Sequence, residues 1–360
     1  MDINPYKQLA ERLDALPNGY PPTADGVELR LLAALFTPEE AALAAQLRVT
    51  WQTPAQLAAR LGGEPAHLSG MLKAMSRRGL IRAGRAADGL AFGLMPFVVG
   101  IYEAQLGQID GELAILFEDY YRQAFGHMLA VQPQVHRVIP INQSVRVDME
   151  VHPYESAADI VGQAQSWGVI DCICRKQKAL IGDPCHHPID VCLILNERAG
   201  VFDNQPNIRA LNQNEALGVL SRAAAAGLVH SVSNNQQGMH YICNCCTCSC
   251  GILRGMADLG IANVVARSAF VNQVDATLCN GCESCVSHCQ FDALALNEDF
   301  VMAVNDTRCV GCGVCVSFCA EQAMGLVRRP DDEVKPPPPT LMDWGLERAM
   351  TRGIDVLKVL

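Results

Sequence analysis

The chemistry available to this sequence lies in its 17 cysteines, and their spacing sorts them into two groups. Eight fall in two copies of one pattern, C-x2-C-x2-C-x3-C: Cys279, Cys282, Cys285 and Cys289, then Cys309, Cys312, Cys315 and Cys319. The other nine come earlier, as Cys172, Cys174, Cys185 and Cys192, then Cys243, Cys245, Cys246, Cys248 and Cys250. Thiolates are soft donors, and a turn that presents one at every third position gathers several around one metal centre. Gly281, Gly311 and Gly313 let the backbone come close to such a centre. Disulfides are the competing use of so many thiols. The chain begins Met1-Asp2-Ile3-Asn4-Pro5 and runs into a charged amphipathic segment rather than a basic start and an apolar run, so a reducing, cytoplasmic setting and metal ligation are expected.

The duplicated runs, over residues 275–327, resemble the bacterial ferredoxins that carry two [4Fe-4S] clusters. That resemblance implies a crossed ligand set. Cys279, Cys282, Cys285 and Cys319 hold one cluster, and Cys309, Cys312, Cys315 and Cys289 hold the other. Short apolar segments at 293–296 and 302–304 suit the small hairpins that shield the clusters. Such ferredoxins usually have proline after the fourth cysteine of each run; here those positions are Gln290 and Ala320. A pair of zinc sites is the alternative, disfavoured by the duplicated spacing.

The nine earlier cysteines are less specific. Residues 170–173 read as a strand, which puts Cys172 and Cys174 on one face, and the Gly182-Asp183-Pro184 loop delivers Cys185 with His186 and His187 beside it. Cys172, Cys174, Cys185 and Cys192 thus make a candidate four-thiolate site, with His187-Pro188 shaping the loop. Further on, Cys243, Cys246 and Cys250 have the C-x2-C-x3-C spacing that binds three irons of a cubane, with Cys245 and Cys248 interleaved as C-x2-C. One or two further iron–sulfur clusters, or zinc, are expected here. A helix at 252–259 is expected to start at this centre and offer it N–H groups.

Half of the residues are hydrophobic, as packed domains require, and the most apolar run, 91–102, is too short for a membrane span and contains Pro96. The net charge of −10 is uneven. Between 275 and 327, Asp275, Glu283, Asp292, Glu298, Asp299, Asp306 and Glu321 face Arg308 alone, which suits docking to a basic redox partner. Between 53 and 95 the balance reverses: Arg60, Lys73, Arg77, Arg78, Arg82 and Arg85 face Glu64 and Asp88.

These elements predict an α+β multidomain chain. A helix and linker at 1–26 precede a winged-helix-like domain at 27–97, whose helix, turn, helix and hairpin order is similar to that of winged helix-turn-helix proteins. Thr37 caps its second helix, and Leu68, Met71, Leu72 and Met75 mark the buried face of its fourth. Were it to bind DNA, His67, Ser69, Lys73 and Arg77 would face the groove, with Arg82 and Arg85 near the DNA backbone. A helical and extended connector at 98–165 follows, with a helix over 98–131 and an extended run at 138–151. Tyr120 and Tyr121 fit either a core or a cofactor wall. Next come a Cys-rich α/β domain at 166–262, a two-[4Fe-4S] ferredoxin domain at 263–329, and a Pro-rich linker with an amphipathic helix at 330–360. That last helix carries the stripe Leu346, Met350, Ile354, Leu357 and Leu360, a docking arm on this chain or a partner.

The whole order resembles iron–sulfur ferredoxin-domain proteins of anaerobic metabolism. It implies a soluble multi-cluster electron carrier, a subunit or oligomer working with a ferredoxin, flavoprotein or reductase; the sequence itself shows no glycine fingerprint for nucleotide or flavin, so that chemistry is expected of another subunit. Two other classes stay open: a redox-responsive DNA-binding regulator, and a reductase with its active cluster at 243–250.

Overall fold

A computed structural model describes residues 4–355, and these form two compact units. The opening Met1 to Ile3 and the stripe residues Leu357 and Leu360 lie outside the described residues. No helix among the described residues is long and apolar enough to cross a membrane.

The first unit holds residues up to 131, with 180–182 and the chain from Gly345 onward. Its helices are α1 (Pro5–Asp14), α2 (Val27–Leu35), α3 (Pro38–Ala45), α4 (Pro54–Leu61) and α5 (Pro65–Arg77), followed by the antiparallel hairpin β1 (Arg82–Ala86) and β2 (Gly89–Gly93) and by α6 (Gly111–Gln123). Threonine followed by proline starts both α3 and α4. Thr37 with Glu40, and Thr53 with Gln56, close reciprocal capping boxes that satisfy otherwise orphaned N–H groups, each contributing about 1 kcal/mol. Leu72 and Met75 of α5 are fully buried, with Leu68 and Met71 half-buried beside them.

Three of the six basic residues between 53 and 95 are committed to the fold. Arg78 forks onto Glu40 at 2.8 Å and donates to Leu35 O, Arg60 donates to Gln46 O at 2.7 Å, and Arg82 lies over Trp51 and donates to Val49 O. His67, Lys73, Arg77 and Arg85 are exposed. Tyr20, Phe97, Tyr102, Phe117 and Tyr120 form an aromatic core, with Tyr20 and Tyr120 centroids 4.6 Å apart. Tyr120 and Tyr121 are therefore core residues.

The expected helix over 98–131 is broken. Val98, Val99 and Gly100 have non-helical backbone, Asp110 restarts the helix by accepting from Leu113 N at 2.9 Å, and α6 ends before a 3-10 turn at Phe125–Ala130. Arg348 is fully buried and donates to Pro17 O at 2.9 Å, to Met128 O at 2.8 Å and to Val131 O. Replacing it strands three carbonyls. Arg348→Met is expected to destabilise this unit by about 3 kcal/mol, readable in a urea melt as a lower midpoint with unchanged slope.

The second unit, 132–179 with 183–344, is built on a seven-stranded sheet. Its elements in chain order are β3 (His136–Val138), α7 (Ala157–Gln163), β4 (Ser166–Ile170), α8 (Ile173–Leu180), β5 (Cys192–Asn196), β6 (Arg209–Leu211), α9 (Gln213–Ala225), β7 (Val229–Ser233), β8 (Tyr241–Cys245), α10 (Arg254–Leu259) and β9 (Val265–Ala266). The strand order is β6-β4-β5-β8-β7-β3-β9, antiparallel except for β3 with β9. Ile160, Val161, Val169, Leu193, Leu195, Val219, Leu220, Val232 and Ile242 form its core, joining α7 and α9 to the sheet.

A smaller module follows, with β10 (Phe270–Val274) paired to β13 (Met324–Arg328), β11 (Leu294–Leu296) paired to β12 (Met302–Val304), and α11 (Val314–Ser317) between. The two hairpin segments read from the sequence are thus one hairpin, β11 with β12.

Three further expectations need correction. Beyond β3 the run 138–151 is irregular, with a short 3-10 turn at Asn142–Ser144 in place of a strand. The prolines are not a free spacer, since Gln236 N donates to Pro338 O at 3.0 Å and Gln237 N to Pro339 O at 3.1 Å. In the last helix, α12 (Leu341–Thr351), the buried positions are Trp344, Arg348 and Ala349, while Leu346 and Met350 face outward.

Candidate metal centres

In the ferredoxin-like module the two cysteine runs share a tight glycine turn and a backbone N–H aimed at the fourth sulfur. Gly281 and Gly311, each inside its run, have φ of +71° and +69°, and a Cβ on either would meet a carbonyl, Phe300 O at 2.5 Å or Phe270 O at 2.0 Å. Only glycine fits there. Ala293 N donates to Cys289 Sγ and Ala323 N to Cys319 Sγ, both at 3.3 Å, while Met302 N donates to Cys279 Sγ at 3.5 Å. N–H groups aimed at sulfur favour thiolate over thiol, as metal ligation requires.

The thiols divide by neighbourhood. Burial pushes Cys285 up to about 11, and the thiols adding to that rise are Cys319, Cys282 and Cys279. Burial likewise pushes Cys312 up to about 12, with Cys309 and Cys289 adding. Cys289, Cys309, Cys312 and Cys315 line one internal cavity with Asn272 and Phe291. A metal offsets such crowding, because ligation removes the proton outright. Cys282 is exposed, whereas Cys309 and Cys315 are buried.

Asn272 Nδ2 donates to Cys315 Sγ at 3.5 Å. One hydrogen bond of about 1 kcal/mol shifts a one-electron potential by roughly 40 mV. Where Cys315 ligates a cluster, as the resemblance implies, Asn272→Leu is therefore expected to lower that cluster's potential by that order, read in a titration followed by paramagnetic resonance.

The earlier nine cysteines are sorted by the sheet, and differently from their sequence spacing. Strand β4 ends at Ile170, so Cys172 and Cys174 flank the start of α8 rather than alternating along a strand. Ile170 pairs with Cys192, and β5 pairs with β8 through Leu193 and Ile242. This register brings the end of β4, the start of β5 and the end of β8 to one edge. Cys243 and Cys245, two apart on β8, share a face.

Six thiols close a ring there. Cys172 contacts Cys174, which contacts Cys250; Cys250 contacts Cys245, Cys245 contacts Cys243, Cys243 contacts Cys192, and Cys192 returns to Cys172. The grouping of Cys243 with Cys246 and Cys250, and of Cys185 with Cys172, is replaced by this ring. Cys246 falls one residue past the strand and leaves the face of Cys243 and Cys245, and Cys185 sits on the 181–191 loop.

Those displaced residues meet elsewhere. Cys185, His187, Cys246 and Cys248 place their ligand atoms within 4.8 Å of one another. His187, read from the sequence only as a loop-shaping residue, is the member that spacing missed; its signal was the matching Cys-x-His and Cys-x-Cys intervals. His186 is exposed and outside the group.

Arg175 stands between ring and quartet. It is buried and donates to Pro188 O and Asn244 O, both at 2.9 Å, and to Cys246 Sγ at 3.4 Å. Burial opposes its charge, but Cys172, Cys246 and Cys245 outweigh that and raise its pKa. Cys246 is correspondingly held down, to about 3, by its hydrogen bond with Cys248 and then, against burial, by His187 and Arg175. The expected helix at 252–259 begins later, at Arg254, after Cys250 O has accepted from Arg254 N at 2.9 Å.

Gln290, which directly follows Cys289, connects the module to the Cys-rich turn. Its Oε1 accepts from Thr247 N at 2.7 Å and its Nε2 donates to Gly227 O. Thr247 lies between Cys246 and Cys248, and Gln290 follows Cys289.

A family model described as a 4Fe-4S binding domain matches residues 272–295. No curated protein and no solved structure matches the chain.

Proposed function

We propose, for a chain that carries a ferredoxin-type 4Fe-4S binding segment, that it is a cytoplasmic electron-transfer protein. In this reading the module serves two [4Fe-4S] clusters and the six-thiol ring is a third redox centre. When bound, the clusters supply one-electron transfer; the chain's residues ligate, insulate and connect them. Cys279, Cys282, Cys285 and Cys319 are the ligands of one cluster, and Cys309, Cys312, Cys315 and Cys289 of the other. The matched N–H to sulfur bonds, the paired glycines and the cavity around Cys289, Cys309, Cys312 and Cys315 support this crossed assignment.

The observation that carries the reading is Gln290, which makes a short bonded connection from Cys289 to Thr247, two residues past the ring's Cys245 and three before its Cys250. A ferredoxin segment acting alone has no use for that tie. Its outer end suits a partner. Exposed Glu321 and the 74% exposed Phe300 lie beside the Asn280-Gly281-Cys282 turn, and Leu278, Glu283, Glu298 and Asp299, close to them in sequence, are exposed as well. Acidic residues around an apolar contact favour a basic redox protein, and high salt is expected to slow the encounter. A DNA-binding role would fall to exposed His67, Lys73, Arg77 and Arg85, since Arg60, Arg78 and Arg82 are committed within their own unit.

Gln290→Ala tests the connection. With iron content unchanged, rapid-freeze reduction should show the module filling normally and the ring several-fold more slowly. Equal rates in variant and parent would refute the role of Gln290.

A further inference from the structure

We propose that Cys185, His187, Cys246 and Cys248 form a mononuclear zinc site, separate from the iron–sulfur centres and clasping the 181–191 loop to the Cys-rich turn. Distances distinguish one ion from a cluster. Cys185 Sγ and Cys246 Sγ are 3.7 Å apart, and His187 Nδ1 lies 3.0 Å from Cys185 Sγ and 3.7 Å from Cys248 Sγ. A tetrahedron with Zn–S near 2.3 Å sets its sulfurs about 3.8 Å apart. The corners of a cubane are wider, because each thiolate binds a different iron. Three thiolates and one imidazole also fill four positions, the closed donor set of structural zinc, with none left for substrate.

The surroundings agree. Each half of the quartet is a pair two residues apart, Cys185 with His187 and Cys246 with Cys248, so one ion joins two loops far apart in sequence. His187 N donates to Cys185 Sγ at 3.4 Å, and Arg175 donates to Cys246 Sγ at 3.4 Å while holding Pro188 O. Buried Arg175 thus fixes a residue beside each pair, as groups behind metal ligands commonly do. The ring closes without any of these four, so a zinc here takes no ligand from it. Cys192, a ring member, follows the clasped loop, and closing that loop orders the chain entering β5.

The test uses the full chain, purified without oxygen. Zinc should be present at one per chain, persist in Cys250→Ser, which alters the ring, and be lost in the double variant Cys185→Ser/His187→Ala. Growth with cobalt in place of zinc should give the visible bands of tetrahedral Co2+ with three thiolates. His187→Cys should keep the ion and shift those bands toward four thiolates, a result that a merely misfolded loop does not give. Resonance of the reduced ferredoxin segment should be unchanged in each variant. No zinc in the parent, zinc retained by the double variant, or iron held by this quartet would each overturn the proposal.

Discussion

Gly311→Ala is expected to cost about 3 kcal/mol and to remove the iron proposed for Cys309, Cys312, Cys315 and Cys289, while the set proposed for Cys279, Cys282, Cys285 and Cys319 stays loaded. The residue has φ of +69°, where a side chain costs about 1 kcal/mol, and its Cβ would lie 2.0 Å from Phe270 O and 2.2 Å from Ser268 Oγ. Neither neighbour is free to yield. Phe270 begins β10, paired with β13, and Ser268 Oγ already donates to Gly311 O at 2.8 Å. Overpacking against fixed backbone adds roughly 1–3 kcal/mol, and the displaced segment lies between Cys309 and Cys312. Gly238→Ala is the control, because that glycine has φ of +67° with nothing within 4 Å of a Cβ. Denaturant melts should separate the two by about 2 kcal/mol, and iron analysis should find a loss only in Gly311→Ala.

Arg175→Leu is expected to empty the Cys-rich region of metal and to destabilise the second unit by about 3–5 kcal/mol, the usual result of leaving buried charge without its partner. The guanidinium is the cation set among Cys172, Cys245 and Cys246, and its two amino groups reach Pro188 O, Asn244 O and Cys246 Sγ. Leucine keeps bulk but strands two carbonyls and leaves thiolate charge uncompensated. Arg175→Lys should recover only part of the loss, because an ammonium does not reproduce the planar fork that spans three acceptors. Metal analysis should find the ferredoxin-type segment still loaded in both variants. Full metal content and unchanged stability in Arg175→Leu would contradict the role given to this residue.

What the sequence disclosed was mostly local. The helix start at Thr37, the hairpin that closes the helical run of 27–97 and the two cysteine runs are each written within a few residues, and the helix and hairpin lie there. The ring and the quartet were hidden because their members are up to about 80 residues apart and meet only through the β4-β5-β8 register. Part of the split was still readable. Residues 239–242 read as a short extended run, and carrying its alternation into the cysteines puts Cys243 and Cys245 together and Cys246 apart. The break in the 98–131 helix was also marked, by Gly100, Gly107 and the capping Asp110, beneath a pattern of apolar residues that a single helix fits equally well.

The most direct test of the account is the inventory of iron, acid-labile sulfide and zinc per chain after anaerobic purification, with paramagnetic resonance followed through a reductive titration. Iron should clearly exceed the roughly eight atoms of two [4Fe-4S] clusters, with a further signal that Cys172→Ser or Cys243→Ser abolishes while the ferredoxin-type signals persist. Iron at about eight per chain, with the six ring thiols freely alkylated and no metal lost, would reduce the protein to a two-cluster carrier and contradict a third centre in the ring.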